Sequence, residues 1–497
     1  MNETPSLPAA RWAYRSAGEL ARSLSNKDIS ALELTEEFIA RIEALDHELN
    51  AVPVRDFARA REAAKEADAA LARGERRPLL GVPVTVKESY NVAGLPTTWG
   101  IPSARDFVPQ EDALAVARLK GAGAVILGKT NVPFVLGDWQ SYNDIYGATN
   151  NPWDKTRTPG GSSGGSSAAL AAGFGPLSIG SDIGGSLRVP AHFCGICAHK
   201  PTHGLVATRG HVPPGVPARP KGVDLAVIGP MARSVDDLIL ALDIIAGPDE
   251  ASEGRAYRLS LPPARGEKLA DFRVLFIAEH PLLPTSPEVG ASLERLATQL
   301  AGVGVDVKRE TRLLPDLAAS ARLYAKLLNA VTSARLPDDD IQEMRAAVEK
   351  LPADDQSVIA ELARGAVMSH REWLRADFAR QGVEHQWRVL FRDFDVVVCP
   401  PAATPAFRHD PSTPHEARTM VVGGKEYPYL HHLLWAELAT MCGLPATVIP
   451  IGVADGLPIG VQIIGPGFED RTPLAFARAV EREFGGFVAP PGYVSGA

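Results

Sequence analysis

The sequence has few cysteines, no long hydrophobic segment and no excess of positive charge. Four cysteines in 497 residues are too few for a disulfide framework, which favours a reducing, cytoplasmic compartment. No run of about 18 apolar residues is present, so we expect no membrane-spanning helix and no membrane partner. The formal net charge of −8 argues against a nucleic-acid partner bound through its phosphates. Residues 1–16 lack the apolar core that a signal peptide requires.

The alternation of strand and helix patterns predicts an α/β fold with a covered sheet. Ser16 and Ser30 are each followed three residues later by glutamate, a capping box that predicts two N-terminal helices. The β-branched run 82–86 predicts a strand that ends at Lys87. Further strands are predicted at 124–127, 274–277, 305–307, 396–399, 447–449 and 461–464, and further helices at 56–73, 113–120, 286–300 and 472–484. The charged, alanine-rich region 314–394 predicts an inserted helical subregion.

Two glycine runs that carry serines are the strongest chemical signal. They are Gly160–Gly165 (GGSSGG) and Asp182–Ser186 (DIGGS). Clustered glycines mark backbone that closely approaches another group or adopts positive φ. A serine at the edge of such a run can be an exposed nucleophile, and the neighbouring N–H groups can hold an oxyanion. The pattern therefore indicates acyl transfer, with Ser186 as the first candidate nucleophile.

A serine nucleophile needs a base at neutral pH. A buried lysine with a lowered pKa can fill that role. Lys87, at the end of its predicted strand, is the better placed candidate, but Lys129 has a similar local context and the residues alone leave the choice open. Histidine is the alternative base, although none of the four nearby histidines belongs to a recognisable triad: His192, His199, His203 and His211.

Three other motifs indicate chemistry that we do not expect here. The run 160–164 matches G-x-S-x-G, but residues 153–159 before it do not resemble the strand that a nucleophile elbow requires. The pair Cys194 and Cys197 has no second pair and no matched histidines to complete a zinc site, so buried packing cysteines are favoured. The pair at 431–432, two histidines, likewise lacks further ligands at metal spacing.

Several ordered motifs together resemble the amidase signature family. After GGSSGG and DIGGS come Arg188, Pro190, Cys194-Gly195 and Lys200–Thr202, and matching segments stand at 81–88, 128–131, 151–154, 443–446 and 460–465. The resemblance covers most of the chain and departs from the family pattern at Ala198-His199, where Gly-Leu is usual. It implies a single large domain over 1–497, with a mostly mixed sheet covered by helices on both faces. Within it, the signature core spans about 80–235, the helical insertion about 314–394 and the C-terminal return 395–497.

The resemblance also implies a Ser-Ser-Lys triad. Carried over to this sequence, Ser186 is the nucleophile, Ser162 is the bridging serine on a cis peptide after Gly161, and Lys87 is the terminal base. The implied oxyanion hole consists of the backbone N–H groups of Ile183, Gly184, Gly185 and Ser186.

Other residues have implied supporting roles. Asp182 would order the oxyanion loop, and Arg188 would brace it or form a structural ion pair. Ser163 would hydrogen-bond Lys87 or Ser162, or have an ordinary polar role. The residues expected at the substrate are Leu136, Trp139 and Gly161, although packing is an equal alternative for Trp139.

The implied function is hydrolysis of a carboxylic amide C–N bond through an acyl-enzyme, giving a carboxylate plus ammonia or an amine. No cofactor or metal is needed. We expect small-molecule amides as substrates, with an apolar or aromatic acyl group preferred and aryl amides, esters or carbamates (a urethanase-like activity) within reach. One alternative is the glutamine-amidase subunit of a tRNA-dependent amidotransferase; another is a non-catalytic, partner-dependent subunit. The oligomeric state stays open, with a homodimer as one option.

Overall fold

A mixed sheet of eleven strands organises the structure, a computed structural model that describes residues 11–219, 222–412, 414 and 417–494. Residues 1–10 of the segment assessed for a signal peptide lie outside the described residues. The strands are β1 (Val54–Arg55), β2 (Pro83–Lys87), β3 (Val125–Thr130), β4 (Tyr142–Asn143), β5 (Gly147–Ala148), β6 (Leu177–Asp182), β7 (Cys197–Lys200), β8 (Val227–Ala232), β9 (Arg273–Phe276), β10 (Asp306–Lys308), β11 (Val396–Cys399), β12 (Thr419–Val422), β13 (Lys425–Pro428), β14 (Ala446–Ala454) and β15 (Leu457–Ile464). The order in the large sheet is β1-β3-β2-β6-β8-β7-β14-β15-β11-β9-β10.

Helices connect and cover these strands. They are α1 (Ala17–Asn26), α2 (Ala31–Leu49), α3 (Phe57–Ala72), α4 (Leu114–Gly121), α5 (Gly164–Ala171), α6 (Arg188–Cys194), α7 (Val235–Ile245), α8 (Pro287–Gly302), α9 (Leu317–Thr332), α10 (Asp338–Val348), α11 (Val358–Ala366), α12 (His370–Asp393), α13 (Leu433–Thr440) and α14 (Arg471–Phe484). Both predicted capping boxes, at Ser16 and Ser30, are present. Every regular element in region 314–394 is a helix, as predicted. No helix in the described ranges has the length and apolar character needed to cross a bilayer.

The sheet is buried on both faces, which confirms the predicted α/β class. Successive side chains of a strand point to opposite faces. In β9 and β11, Val274 and Val398 join one hydrophobic cluster, whereas Leu275 and Val397 join another. Helices on the two sides therefore shield the sheet from water.

Strand β6 is an element beside the candidate site that the sequence patterns did not predict. Its residues, LSIGSD, include two serines and a glycine, which have low strand preference on their own. All six are buried, because β6 pairs with β2 on one side and with β8 on the other. Pairing with buried neighbours outweighs local preference here, and the strand carries the residues that precede the DIGGS loop.

The register of β2 and β6 determines where their carboxyl ends lie. The two strands run parallel, with Thr85 opposite Ser178 and Val86 opposite Ile179. Lys87 is the last residue of β2, and Asp182 is the last residue of β6. Both strands therefore deliver polar side chains to the same edge of the sheet, where parallel α/β folds place their sites.

Candidate active site

Lys87 contacts two serine hydroxyls at this edge. Its Nζ donates to Ser162 Oγ at 2.7 Å and to Ser181 Oγ at 3.0 Å. The lysine side chain is fully buried, and Ser162 is 2% exposed. Ser181, the penultimate residue of β6, was missed by sequence reasoning; its place beside the DIGGS motif was the available signal. The site therefore holds a lysine within hydrogen-bond reach of a serine that is 75 positions away in the chain.

Burial makes Lys87 a usable base. Removal from water disfavours the ammonium form and lowers the pKa of Lys87 to about 7, although the negative charge of Asp182 opposes part of that shift. A group with a pKa near neutrality is partly unprotonated at physiological pH. Lys87 can thus accept a proton from the hydroxyl that it contacts.

The Gly161–Ser162 peptide bond is cis, and it presents Ser162 just before α5 begins. A Cβ on Gly161 would lie 2.2 Å from the Asp138 carbonyl oxygen, so only glycine allows this close approach. No strand lies between β5 and α5, so the strand–turn–helix context of a nucleophile elbow is absent from this fully described stretch.

Lys129 lies in a different environment. Its Nζ donates to the Pro96 carbonyl and, at 2.7 Å, to Thr97 Oγ1, which ties down the loop after β2. Burial lowers the pKa of Lys129 to about 8, and Glu88 opposes the shift. Of the two lysines that the sequence left open, Lys87 is the one that contacts a serine of the GGSSGG run.

His192, His199 and His211 have hydrogen-bond partners away from the two candidate serines. His192 Nδ1 accepts from the Gly460 N–H at 2.7 Å, and His199 lies 3.2 Å from an Asp470 carboxylate oxygen. His211 Nε2 lies 3.0 Å from Ser89 Oγ. Burial lowers the pKa of His203, with the positive charge of Lys200 adding to the effect. No imidazole hydrogen-bonds Ser162 or Ser186 within the described residues.

Ser186 stands at the end of the loop Ile183–Ser186, which we call the oxyanion loop after the role that the family resemblance implies. It is 7% exposed, and its hydroxyl makes no hydrogen bond to the described residues. The Ser163 N–H donates to the Ser186 carbonyl at 3.2 Å, which holds the two serine-bearing segments side by side. The structure thus joins Lys87 to Ser162 and places Ser186 on the adjoining segment. The hydrogen bond that activates a nucleophile is often long in the free enzyme and shortens only when substrate binds.

Asp182 and Arg188 order the start and end of the loop. Asp182 Oδ1 accepts from the Gly185 N–H at 2.9 Å, and Oδ2 accepts from the Leu187 N–H at 3.0 Å. Arg188 Nη2 donates to Asp182 Oδ1 at 2.8 Å, and both side chains are fully buried. Burial alone would raise the pKa of Asp182, but the Arg188 charge and these hydrogen bonds lower it to about 2. Arg188 Nε also donates to Asp182 Oδ2 at 3.0 Å, and further N–H groups of Arg188 donate to Ala436 O, Gln462 Oε1 and Thr440 Oγ1.

Replacing Arg188 with methionine is expected to lower the free energy of unfolding by about 3–5 kcal/mol. The substitution leaves the Asp182 carboxylate buried without its counter-charge. Chemical denaturation measures the loss. The matched control is Arg15→Met, which removes an exposed pair with Glu19 and should cost no more than about 1 kcal/mol. Equal losses in the two variants would contradict the bracing role of Arg188.

The supporting residues have contacts that differ in part from expectation. The Ser163 hydroxyl hydrogen-bonds neither Lys87 nor Ser162. It donates to the Ser181 carbonyl at 3.3 Å, because the start of α5 directs it at the β6 backbone. Trp139 is buried, and its Nε1 donates to the Gly184 carbonyl at 2.9 Å. Leu136 is half-buried, with a φ of 61°.

The cysteine and histidine pairs that could suggest a metal have unrelated partners. Cys194 Sγ donates to the Pro159 carbonyl at 3.4 Å, and Cys197 Sγ to Glu481 Oε1 at 3.8 Å. His432 packs on Trp139, with ring centroids 5.2 Å apart. The described part of the chain contains no group of three or more His, Cys, Asp or Glu side chains arranged to hold a metal ion.

Comparison with known proteins shows the family to which this chain belongs. Residues 33–474 match the family model described as Amidase. A solved structure, described as a vestigial protein complex that reveals the evolutionary origins of an s-triazine catabolic enzyme, has a TM-score of 0.79 and 30% identity. The similarity covers 94% of this chain and 98% of that one. The chain belongs to the amidase signature family of amidohydrolases.

Two sequence relatives show the breadth of the family. The chain is 34% identical over 479 residues to a glutamyl-tRNA(Gln) amidotransferase subunit from Roseiflexus castenholzii, covering 92% of this chain and 94% of the relative. It is 32% identical over 488 residues to an indoleacetamide hydrolase of Bradyrhizobium diazoefficiens, covering 97% and 88%. Both similarities span the fold rather than a single motif.

Proposed function

We propose that this protein hydrolyses small-molecule carboxylic amides, with Ser186 as nucleophile, Ser162 as proton bridge and Lys87 as base. The observation that carries the proposal is the 2.7 Å hydrogen bond between Lys87 Nζ and Ser162 Oγ. It connects a lysine of near-neutral pKa to the segment that lies against Ser186. No histidine is required in this arrangement.

Acylation begins with neutral Lys87. Lys87 takes the Ser162 proton while Ser162 takes the proton of Ser186, and Ser186 Oγ forms a bond to the amide carbon. The C–N bond then breaks, and its electron pair stays on nitrogen. The relay returns the proton to that nitrogen, because an amine leaves readily only when protonated. The products of this step are the free amine and an acyl-enzyme.

Deacylation uses the same groups in reverse. Water loses a proton to the relay and attacks the acyl carbon, and the bond to Ser186 Oγ breaks. Ser186 regains its proton and the acid leaves as a carboxylate. The backbone N–H groups of Ile183, Gly184 and Ser186 hold the oxyanion in both steps, since the Gly185 N–H already donates to Asp182. Each such donor is worth about 10²–10³ in rate.

Aromatic rings beside the loop support an apolar or aromatic acyl group as substrate. Trp139 packs edge-on against Tyr429, with centroids 5.4 Å apart, and tilts against His432. Esters and carbamates present the same carbonyl to the nucleophile and fall within the proposal. The four cysteines are free thiols, which suits the cytoplasmic location that we propose.

A second candidate, the glutamine-amidase subunit of a tRNA-dependent amidotransferase, is favoured by the 34% identity to a glutamyl-tRNA(Gln) amidotransferase subunit. The two functions differ in what the single chain does alone. We expect the purified chain to hydrolyse p-nitroacetanilide without any partner. Release of ammonia from glutamine only when partner chains are added, with no aryl amide turnover, would favour the second candidate instead.

The rate is expected to rise with pH and level off above about pH 7. Neutral Lys87 is the active form, and burial lowers the pKa of Lys87 to about 7. Below that pH, kcat/KM should fall about tenfold for each unit, because the base becomes protonated. A profile of kcat/KM from about pH 5 to pH 9 tests this. A rate that is flat over the range, or falls as pH rises, would contradict the assignment of a lysine base.

A further inference from the structure

We propose that Tyr324, in helix α9 of the helical region, is a positioning residue for the oxyanion hole. The Tyr324 hydroxyl donates to the Ile183 carbonyl at 2.6 Å, across 141 positions of the chain. Tyr324 is 1% exposed, so this contact is shielded from water. The inference rests on the proposed function, because it assigns Tyr324 a part in stabilising the oxyanion.

The backbone of the oxyanion loop is held by its carbonyl groups. Tyr324 OH holds the carbonyl of Ile183, and Trp139 Nε1 holds that of Gly184 at 2.9 Å. The two remaining carbonyls, of Gly185 and Ser186, accept from the N–H groups of Val189 at 2.7 Å and Ser163 at 3.2 Å. Every carbonyl of the loop is therefore engaged by a group outside it.

Because of peptide-bond geometry, these carbonyl contacts determine where the N–H groups of the loop point. In a trans peptide, the C=O of one residue and the N–H of the next point in opposite directions. Anchoring the Ile183 carbonyl on Tyr324 therefore turns the Gly184 N–H away from α9. The Gly185 N–H is turned in the same way, by Trp139, toward Asp182. Tyr324 thus fixes the direction of a donor that the proposed mechanism uses, without itself contacting the substrate.

The space around Gly184 shows why a side-chain anchor is needed. A Cβ at Gly184 would lie 3.1 Å from Leu433 Cδ2 and 3.8 Å from Tyr324 OH, so the loop runs close to α9 and α13. Gly185, with a φ of 96°, adopts a conformation that favours glycine. The glycines allow the backbone of the loop to adopt this conformation, but they do not restrict its φ and ψ angles. The hydroxyl of Tyr324 restricts that rotation at the peptide before Gly184.

The test compares Tyr324→Phe with Tyr90→Phe. Tyr90 is also buried, and its hydroxyl donates to the Gly180 carbonyl at 2.6 Å, within strand β6 rather than the loop. We expect Tyr324→Phe to lower kcat on p-nitroacetanilide by about 10- to 100-fold, since a misplaced donor weakens the oxyanion contact. KM should stay unchanged. The inhibition constant of an aryl trifluoromethyl ketone, which forms an oxyanion adduct with serine, should rise by a similar factor. Tyr90→Phe should leave kcat and this constant near their wild-type values.

The thermal unfolding midpoint of each variant separates positioning from general destabilisation. Unchanged kcat and inhibition constant in folded Tyr324→Phe overturn the inference, as does an equal loss in Tyr90→Phe. A rise in KM alone also overturns it, because that would place Tyr324 at the substrate. Failure of the wild-type protein to react with a fluorophosphonate at Ser186 removes the proposed function and the inference with it. If the wild type is labelled and Tyr324→Phe keeps the wild-type kcat and inhibition constant, the inference fails and the proposed function stands.

Discussion

Replacing Ser186 with alanine is expected to abolish amide turnover, lowering kcat by about 10⁴-fold or more. Removing the nucleophile of a serine hydrolase lowers kcat by factors of this size, because only oxyanion stabilisation and substrate binding still contribute to catalysis. The measurement is p-nitroacetanilide hydrolysis by purified Ser186→Ala. Covalent labelling by a fluorophosphonate, followed by peptide mapping, should identify Ser186 in the wild type and fail in the variant.

Ser167→Ala is the matched control for this experiment. Ser167 lies in α5 and is buried, and its substitution also removes one hydroxyl. It should keep wild-type labelling and nearly wild-type turnover. Residual turnover of more than about a tenth in Ser186→Ala, with labelling at another serine, would contradict the assignment of the nucleophile.

Replacing Lys87 with alanine is expected to lower kcat/KM at neutral pH by about 10²–10⁴-fold, the range that a positioned base contributes. Lys129→Ala is the matched control, because Lys129 is also a fully buried lysine, but one that holds Pro96 and Thr97 instead of a candidate serine. It should retain much more activity.

Rescue by a small amine separates loss of the base from loss of structure. Lys87→Ala leaves space beside Ser162 that methylamine can enter, so added methylamine should restore part of the activity in that variant. It should not raise the activity of Lys129→Ala. Equal losses at the two lysines, with no rescue at either, would leave Lys87 without its assigned role as base.

Much of the fold follows from local patterns in the sequence. The capping boxes at Ser16 and Ser30 are present as predicted, because each depends on interactions within a few residues. The strand 396–399 is also present as predicted, because the β-branched residues of this run favour a strand by themselves. Strand β6 was missed because its serines and glycine have low strand preference, and its pairing with β2 and β8 decides its conformation. Patterns thus predict elements whose local preference agrees with the fold, and they miss those whose conformation is decided only by distant neighbours.

The residues of the candidate site likewise fall into those that short motifs predict and those that only the folded structure reveals. The motifs pointed to Lys87, Ser162 and Ser186, which stand in recognisable short segments. No local signal pointed to Tyr324, because it lies 141 positions from the carbonyl that it holds, within a helical region of ordinary composition. The contact of Ser163 with the β6 backbone likewise depends on the exact start of α5. Contacts between distant elements require the folded structure.

Asp182 and Lys87 are both buried at the site, and their pKa values are set by different neighbours. Asp182 keeps its charge because Arg188 lies beside it, whereas Lys87 has a near-neutral pKa because burial outweighs the attraction of the Asp182 charge. One buried carboxylate is therefore ionised to order the oxyanion loop, while one buried amine is partly neutral to accept protons. The two pKa values are moved in directions that suit their proposed tasks.

The pH dependence of fluorophosphonate labelling at Ser186 tests the central claim most directly, since labelling requires only activation of the nucleophile. We predict that the labelling rate of the wild type rises with pH, with a midpoint near the Lys87 pKa of about 7. In Lys87→Ala and in Ser162→Ala the rate should be much lower, and this midpoint should disappear. A wild-type midpoint that persists unchanged in Lys87→Ala would show that another group activates Ser186 and would contradict the lysine relay.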